Sequence, residues 1–341
     1  MLPPLAFHPI LKRRAWGSTR LRAFGKSVAA DERIGESWEL ADLPDSIMGG
    51  QSVVSGGKFD GLRLRELRLA HRDELLGITT PAEDGAFPLL VKLLDAAENL
   101  SIQMHPTAAY VRAHDAARRK TEAWVVLDAE PGARIFRGFA SGVTRDDFER
   151  ALAAGTVIDL LQAIDVRRGD CIYLPSGICH ALGAGVVVAE IQTPSDTTFR
   201  VWDWNRNDPE RPLHLDEARA CLQFGAAQED GTRGVTRTGD ATAFESSGLR
   251  SRRLLRTPFF SLEWIEATRD AAFPIEPTGV AEVWMHLAGS AEWRTTSLAM
   301  PVRPGTTVLR PAAVEPGEVL LRQGHTILRV LCGSPLDGAI A

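Results

Sequence analysis

Three stretches of the chain carry side chains suited to binding a metal ion and moving protons. The first, Ser101-Ile-Gln-Met-His-Pro106, sets the amide of Gln103 and the imidazole of His105 two residues apart. In a strand, residues two apart share a face, so the two groups would point the same way. The second, Lys120-Thr-Glu-Ala-Trp124, offers the Glu122 carboxylate with Lys120 close by in sequence. The third runs from Gly169 to His180 and reads G-x5-P-x-G-x2-H. Gly169 permits a tight turn into a strand, and Pro175 and Gly177 shape the next turn. That places His180 at the start of a returning strand, facing the first cluster. Imidazole, carboxylate and amide oxygen form a borderline-hard donor set that suits Zn²⁺ or a similar divalent ion. A lone histidine on a strand is more often structural than a ligand, and it is the joint spacing that sets His105 and His180 apart. His8, His71, His114, His214, His286 and His325 lack such surroundings and read as ordinary surface or core residues.

Distant groups of this kind need a rigid scaffold to meet. Apolar runs at 89–94, 123–127, 171–175, 186–192 and 261–267 are short and bounded by Gly, Pro or Asp, the pattern of strands. Many short strands with Gly/Pro turns predict a mainly β fold, a sandwich or barrel. Residues 107–119 are Ala/Arg-rich and helix-prone. Residues 144–163 open with a Thr cap and acidic first-turn residues, which predicts two short helices broken near Gly155, a helical insertion at about 140–165. The strand-like run 201–204 alternates Trp202 and Trp204 with Val201 and Asp203. Residues 225–243 are polar and Gly/Thr-rich and read as a linker or exposed loop. The expected division is therefore a domain at 1–240 holding the metal site, and a smaller β-barrel without one at 245–341.

Composition limits the functional classes. Of 341 residues, 44% are hydrophobic and 24% charged, the mix of a globular protein rather than a disordered one. A formal net charge of -5 gives no general attraction to nucleic acid or anionic membrane, so an anionic substrate would need a local cationic pocket. The four cysteines form no C-x-x-C pair and read as reduced thiols. The N-terminus shows no sustained apolar segment and no run is long enough to span a bilayer, so the expected location is cytoplasmic.

The G-x5-P-x-G-x2-H spacing is similar to the second motif of the cupin superfamily, and Q-x-H with a displaced Glu resembles a variant of the first. More specifically, Lys92, Leu100–Pro106, Lys120–Trp124, Pro175–His180 and Ser195–Arg206 together resemble type I mannose-6-phosphate isomerases of the short bacterial branch. Trp16-Gly17 and Gly35-Glu-Ser-Trp-Glu39 resemble that family's opening strands, though Ser18 stands where a second glycine is common. The resemblance implies a cupin (jelly-roll) β-barrel with a helical insertion, followed by a smaller cupin-like β-domain. It implies one Zn²⁺ per subunit on Gln103, His105, Glu122 and His180. It places Arg200, Glu190 and Asp196 near the reacting carbons, with Lys120 beside Glu122, and Ser101 and Lys92 at the phosphate end. The partner it implies is a small hexose phosphate, and the assembly a monomer or homodimer.

The implied reaction moves a proton between C2 and C1 of an open-chain sugar through an enediol. Negative charge builds on the carbonyl oxygen, which a divalent ion or a fixed guanidinium such as Arg200 would stabilise. The base could be Glu190, Asp196, Lys120 or a water; sequence does not choose. Two other readings compete: an Fe²⁺ cupin oxygenase, which Gln103 argues against, and a non-catalytic metal- and sugar-binding cupin module. A related sugar isomerase of different substrate is a further variant.

Overall fold

The computed structural model describes residues 1–206, 211–225 and 234–333. The protein is mainly β, built from two face-to-face pairs of antiparallel sheets. In the first pair a seven-stranded sheet runs in the order Val235–Thr236, Cys171–Leu174, Glu122–Ala129, Val186–Gln192, Leu90–Ala96, Ile34–Leu40, Ile10–Ser18. Facing it is a five-stranded sheet, Phe199–Trp202, Ile102–Met104, His180–Leu182, Arg134–Phe139, Leu161–Asp165. Two facing antiparallel sheets of this kind are the jelly-roll arrangement. The second pair comprises a seven-stranded and a four-stranded sheet drawn mainly from residues 243–332.

The order of layers is set by which side chains are apolar. Ile102, Met104, Ala181 and Val201 on the outer face of the five-stranded sheet pack against Phe148 and Ala151 of the helix Arg145–Ala154 and Ala218 of the helix Leu215–Cys221. The two seven-stranded sheets meet back to back. Val91, Leu93, Val125, Ala189 and Ile191 from one join Leu262, Val283, Met285, Leu328 and Val330 from the other in one continuous core. Leu90–Ala96 and Val186–Gln192 are therefore buried on both faces along their whole length. This explains why they read as unbroken apolar runs rather than alternating ones. In such runs Lys92 and Glu190 are exceptions, and both point into the first sandwich.

The chain's first residues do not stay with the first sheet pair. Leu5–Ala6 forms the edge strand of the second seven-stranded sheet, pairing with Thr307–Arg310. A buried polar clamp joins the halves nearby. Lys26 Nζ donates to Glu39 Oε2 and to the Gly305 carbonyl, each at 2.7 Å, while Ser37 donates to the other Glu39 oxygen at 2.6 Å.

Several local expectations change. The helix at 145–154 forms with its predicted cap: Asp147 N–H donates to Thr144 Oγ1 at 3.2 Å and Thr144 N–H to Asp147 Oδ2 at 2.9 Å. It ends at Gly155, which takes the left-handed conformation (φ 70°). Beyond it the chain makes a single 3₁₀ turn, Val157–Leu160, and then the strand Leu161–Asp165, so the second helix of the insertion does not form. Leu161–Asp165 pairs with Arg134–Phe139, whose sheet edge outcompetes local helix propensity. Of 107–119 only Ala108–Ala113 is helical, capped by Thr107. In the expected linker, residues 226–233 lie outside the described residues, while Val235–Thr236 pairs with Cys171–Leu174. Strand geometry stops at Trp202; Trp204 and Asn205 have φ near 56°, and the Trp204 indole N–H donates to the Leu100 carbonyl at 2.8 Å. All four cysteines are buried and none forms a disulfide with another, and burial pushes the thiol pKa values of Cys171 and Cys179 up to about 12. No helix among the described residues is long and apolar enough to cross a membrane.

Candidate metal centre and its cleft

Inside the first sandwich, Glu122 opens its strand on the inner face, two residues before the fully buried Trp124. On the opposite sheet Gln103 stands directly across from His180 on one side and from Arg200 on the other. His105 comes one residue after its strand ends. His105, Glu122 and His180 are buried and their ligand-type atoms all lie within 4.8 Å of one another. Nε2 of each histidine is 3.3 Å from a different Glu122 oxygen.

The outer nitrogens fix the two rings. His105 Nδ1 donates to the Thr197 carbonyl at 3.2 Å and His180 Nδ1 to the Ile178 carbonyl at 2.8 Å. A carbonyl can only accept, so these bonds assign the proton to Nδ1 and leave Nε2 with its lone pair. Both lone pairs therefore face the carboxylate. Burial, reinforced by Lys120, pushes the His105 imidazole down to about 3, so it is neutral. His105 Nε2 and both Glu122 oxygens have no hydrogen-bond partner among the described residues. Buried acceptors set against one another are costly unless a cation lies among them, and outer-nitrogen bonds to carbonyls are how metal-ligating histidines are oriented. The donor set thus fits a divalent ion. Gln103 adjoins it: its Nε2 is 3.5 Å from His180 Nε2, and its Oε1 accepts from Ser101 at 3.3 Å. A half-turn of the amide would present the oxygen instead.

Lys120 Nζ sits 2.8 Å from Glu122 Oε2, at ion-pair distance but out of hydrogen-bond alignment. Burial would lower the lysine's pKa, but Glu122 and Glu190 outweigh it and the ammonium is favoured. Burial likewise would raise Glu122, but the Lys120 ammonium outweighs it and holds the carboxyl well below the usual carboxylate range.

A cleft of about 440 Å³ opens beside this cluster. Its walls include Lys92, Ser101, Gln103, Lys120, Glu190, Asp196 and Arg200, so the groups singled out in the sequence converge there. Lys92 Nζ donates to Glu190 Oε1 at 3.0 Å, and the Trp124 indole N–H donates to Glu190 Oε2 at 2.9 Å. Both Glu190 oxygens are therefore engaged. Asp196 is exposed at the rim, and Arg200 is half-buried, with its backbone N–H donating to His214 Nδ1 at 3.3 Å.

Arg13, Arg14, Glu36, Trp38 and Arg211 also line the wall, and the sequence alone does not single them out as site residues. Nothing in Ile10–Ser18 marks which of its consecutive basic residues faces inward. In Ile34–Leu40, Glu36 and Trp38 alternate with Ser37 and Glu39, so both faces look polar. Six cations (Arg13, Arg14, Lys92, Lys120, Arg200, Arg211) line the cleft against three acids (Glu36, Glu190, Asp196). That is the local positive pocket an acidic chain would need for an anion. A second cleft of about 390 Å³, between Thr80–Asp84 and Phe259, contains none of these groups. In the second sandwich His286 Nδ1 meets His325 Nε2 at 2.8 Å, and Trp293 donates to His286 Nε2 at 3.0 Å, the bonding of a core polar cluster.

Residues 5–123 match the family profile of the phosphomannose isomerase type I catalytic domain. The mannose-6-phosphate isomerase of Streptococcus mutans is 36% identical over 268 residues, covering 77% of this chain and 78% of that one. A probable mannose-6-phosphate isomerase of Bacillus subtilis is 32% identical over 318 residues, covering 92% and 94%. The crystal structure of mannose 6-phosphate isomerase from Bacillus subtilis superposes with a TM-score of 0.82 at 27% identity, over 96% of this chain and 99% of that one.

Proposed function

The chain belongs to the type I phosphomannose isomerase family, and from that premise we propose that it interconverts mannose 6-phosphate and fructose 6-phosphate at the cleft beside Glu122. The observation that carries this is the buried His105, Glu122 and His180 cluster, with its orphaned acceptors, beside a cation-lined cleft whose wall includes the adjoining Gln103 and Lys120. In this reading Gln103, His105, Glu122 and His180 hold one divalent ion, Zn²⁺ by the donor set. Lewis acidity toward the substrate's carbonyl end is what such an ion supplies when bound.

The chain's own residues do the rest. Arg200 keeps its charge at any working pH and presents a planar fork, so it stabilises the negative charge that grows on the carbonyl oxygen. Lys120, an ammonium beside Glu122, adds positive charge at the same end. Of the two acids, Glu190 has both oxygens bound to Lys92 and Trp124, which suits it to positioning Lys92. Asp196 makes no hydrogen bond or ion pair among the described residues and borders the cleft, so it is the carboxylate available to take the C2 proton and return it at C1. Lys92 and Ser101 take the phosphate end. The rows of the sheet keep these ends apart: Lys92, Glu190 and Trp124 lie in register across three strands, and Glu122 is two residues further along.

Purified protein should turn over mannose 6-phosphate and lose activity to a chelator, with recovery on adding Zn²⁺. Arg200→Ala should retain the metal and lose roughly 100-fold or more in kcat, the scale of one transition-state donor. Turnover indifferent to metal removal, or an Arg200→Ala enzyme of normal rate, would overturn the assignment.

A further inference from the structure

Building on the phosphate-end reading of Lys92, we propose that Arg14 is a second anion contact of the cleft, a specificity-determining residue that grips the substrate's phosphate together with Lys92 and is aimed by Glu36. Arg14 lies on the cleft wall with its side chain about one-third exposed (34%). Its Nε donates to Glu36 Oε1 at 2.6 Å and its Nη1 to the Arg13 carbonyl at 3.2 Å. Two bonds fix the plane of the guanidinium, and Nη2 has no partner among the described residues. Glu36 gives its other oxygen to the Trp38 indole N–H at 2.7 Å. With both oxygens taken, it can hold Arg14 in place but is not free to act as a base.

The same unit occurs a second time. Lys92 is backed by Glu190, whose remaining oxygen takes the Trp124 indole N–H. The two units adjoin, because Trp38 stands across from Lys92 in the sheet and Lys92 Nζ lies 5.2 Å from its ring centroid. Each cation is thus paired with its own buried carboxylate, and each carboxylate is completed by an indole. Pairing makes it tolerable to keep two like charges close together on one cleft wall. A dianionic phosphate can then bridge them using the N–H groups the carboxylates leave over, with a guanidinium supplying a directional contact and an ammonium a point charge. The other wall arginines of this end are committed elsewhere. Arg13 is 76% exposed and bound to Glu32, and Arg211 leans toward Asp203.

The test compares wild type with Arg14→Ala and Arg14→Lys, using mannose 6-phosphate for kinetics and inorganic phosphate as the probe in titration calorimetry. Arg14→Ala should raise KM and weaken phosphate binding by about 10- to 100-fold, the range of one charge-assisted hydrogen bond. Its kcat should stay within a few-fold of wild type, its metal content should be unchanged, and Arg14→Lys should recover part of the affinity. Glu36→Gln, which leaves the guanidinium unaimed, should raise KM by a smaller factor. Unchanged KM and phosphate affinity in Arg14→Ala would overturn the proposal. So would a loss of metal and kcat with affinity intact, or phosphate binding that vanishes with a chelator and so resides on the metal. A wild type that binds phosphate through Arg14 yet does not isomerise mannose 6-phosphate would remove the substrate assignment and leave the anion contact standing.

Discussion

Glu36 is buried between Arg14, Lys92 and the Trp38 indole. Burial alone would raise its pKa, but the Lys92 and Arg14 charges and the indole bond outweigh it and carry it to about 2. The folded value lies below the unfolded one of about 4.5. Its contribution to stability is therefore complete above pH 4.5 and is lost as the pH falls toward 2, and amounts to about 3 kcal/mol at neutral pH. With metal removed from both proteins, Glu36→Gln should be less stable than wild type at pH 7 by that order, and the gap should shrink to less than half by pH 3. Urea unfolding at the two pH values measures it; a gap that stays constant would show that the charge plays no part. The three side chains that meet at the candidate metal centre, His105, Glu122 and His180, stand out in the sequence because of their joint spacing. Arg14 was not visible because consecutive basic residues on an edge strand carry no sign of which one turns inward, and Glu36 was not because polar residues alternate on both faces of Ile34–Leu40.

The helix Arg145–Ala154 shows where local rules suffice. Its boundaries are set by Thr144 and Gly155, both readable in the sequence, and its apolar residues Phe148 and Ala151 cover the outer face of the five-stranded sheet. Thr144→Ala should cost about 1 kcal/mol through loss of the cap, seen as a lower urea midpoint. It should leave KM and kcat unchanged, since the helix lies on the far side of that sheet from the cleft. A fall in kcat would mean that the helix shapes the site. Leu161–Asp165 shows where local rules fail. Its sequence continues a helical pattern, and only the open edge of Arg134–Phe139 makes a strand of it.

At the scale of the whole molecule, the two sheet pairs share a core. Leu40, Val91 and Ala189 pack in one cluster with Leu262, Val283 and Val330, and the first strand of the chain completes the last sheet. Interfaces this apolar do not separate readily. Heating should therefore give one transition, with near-ultraviolet signals from Trp124 in the first sandwich and Trp293 in the second lost together. Replacing either tryptophan by Phe would separate the two signals, and two resolved midpoints would show that the halves melt independently. Removing residues 1–8 should destabilise the second sandwich as well as the N-terminus, because Thr307–Arg310 would lose its outer partner and expose an unpaired edge.

The amino-acid order determined the mainly β architecture, the capped helix and the positions of the metal-type side chains. Each of these is written in patterns a few residues long: short apolar runs, a Thr cap, and Gln, His and Glu at strand spacing. Only the tertiary structure decided that Lys92 and Glu190 pair across neighbouring strands, that Arg14 and Glu36 join the cleft, and that the chain's first strand belongs to its last sheet. Those outcomes depend on sheet register and on which edge a strand finds, quantities fixed by contacts between residues far apart in the chain.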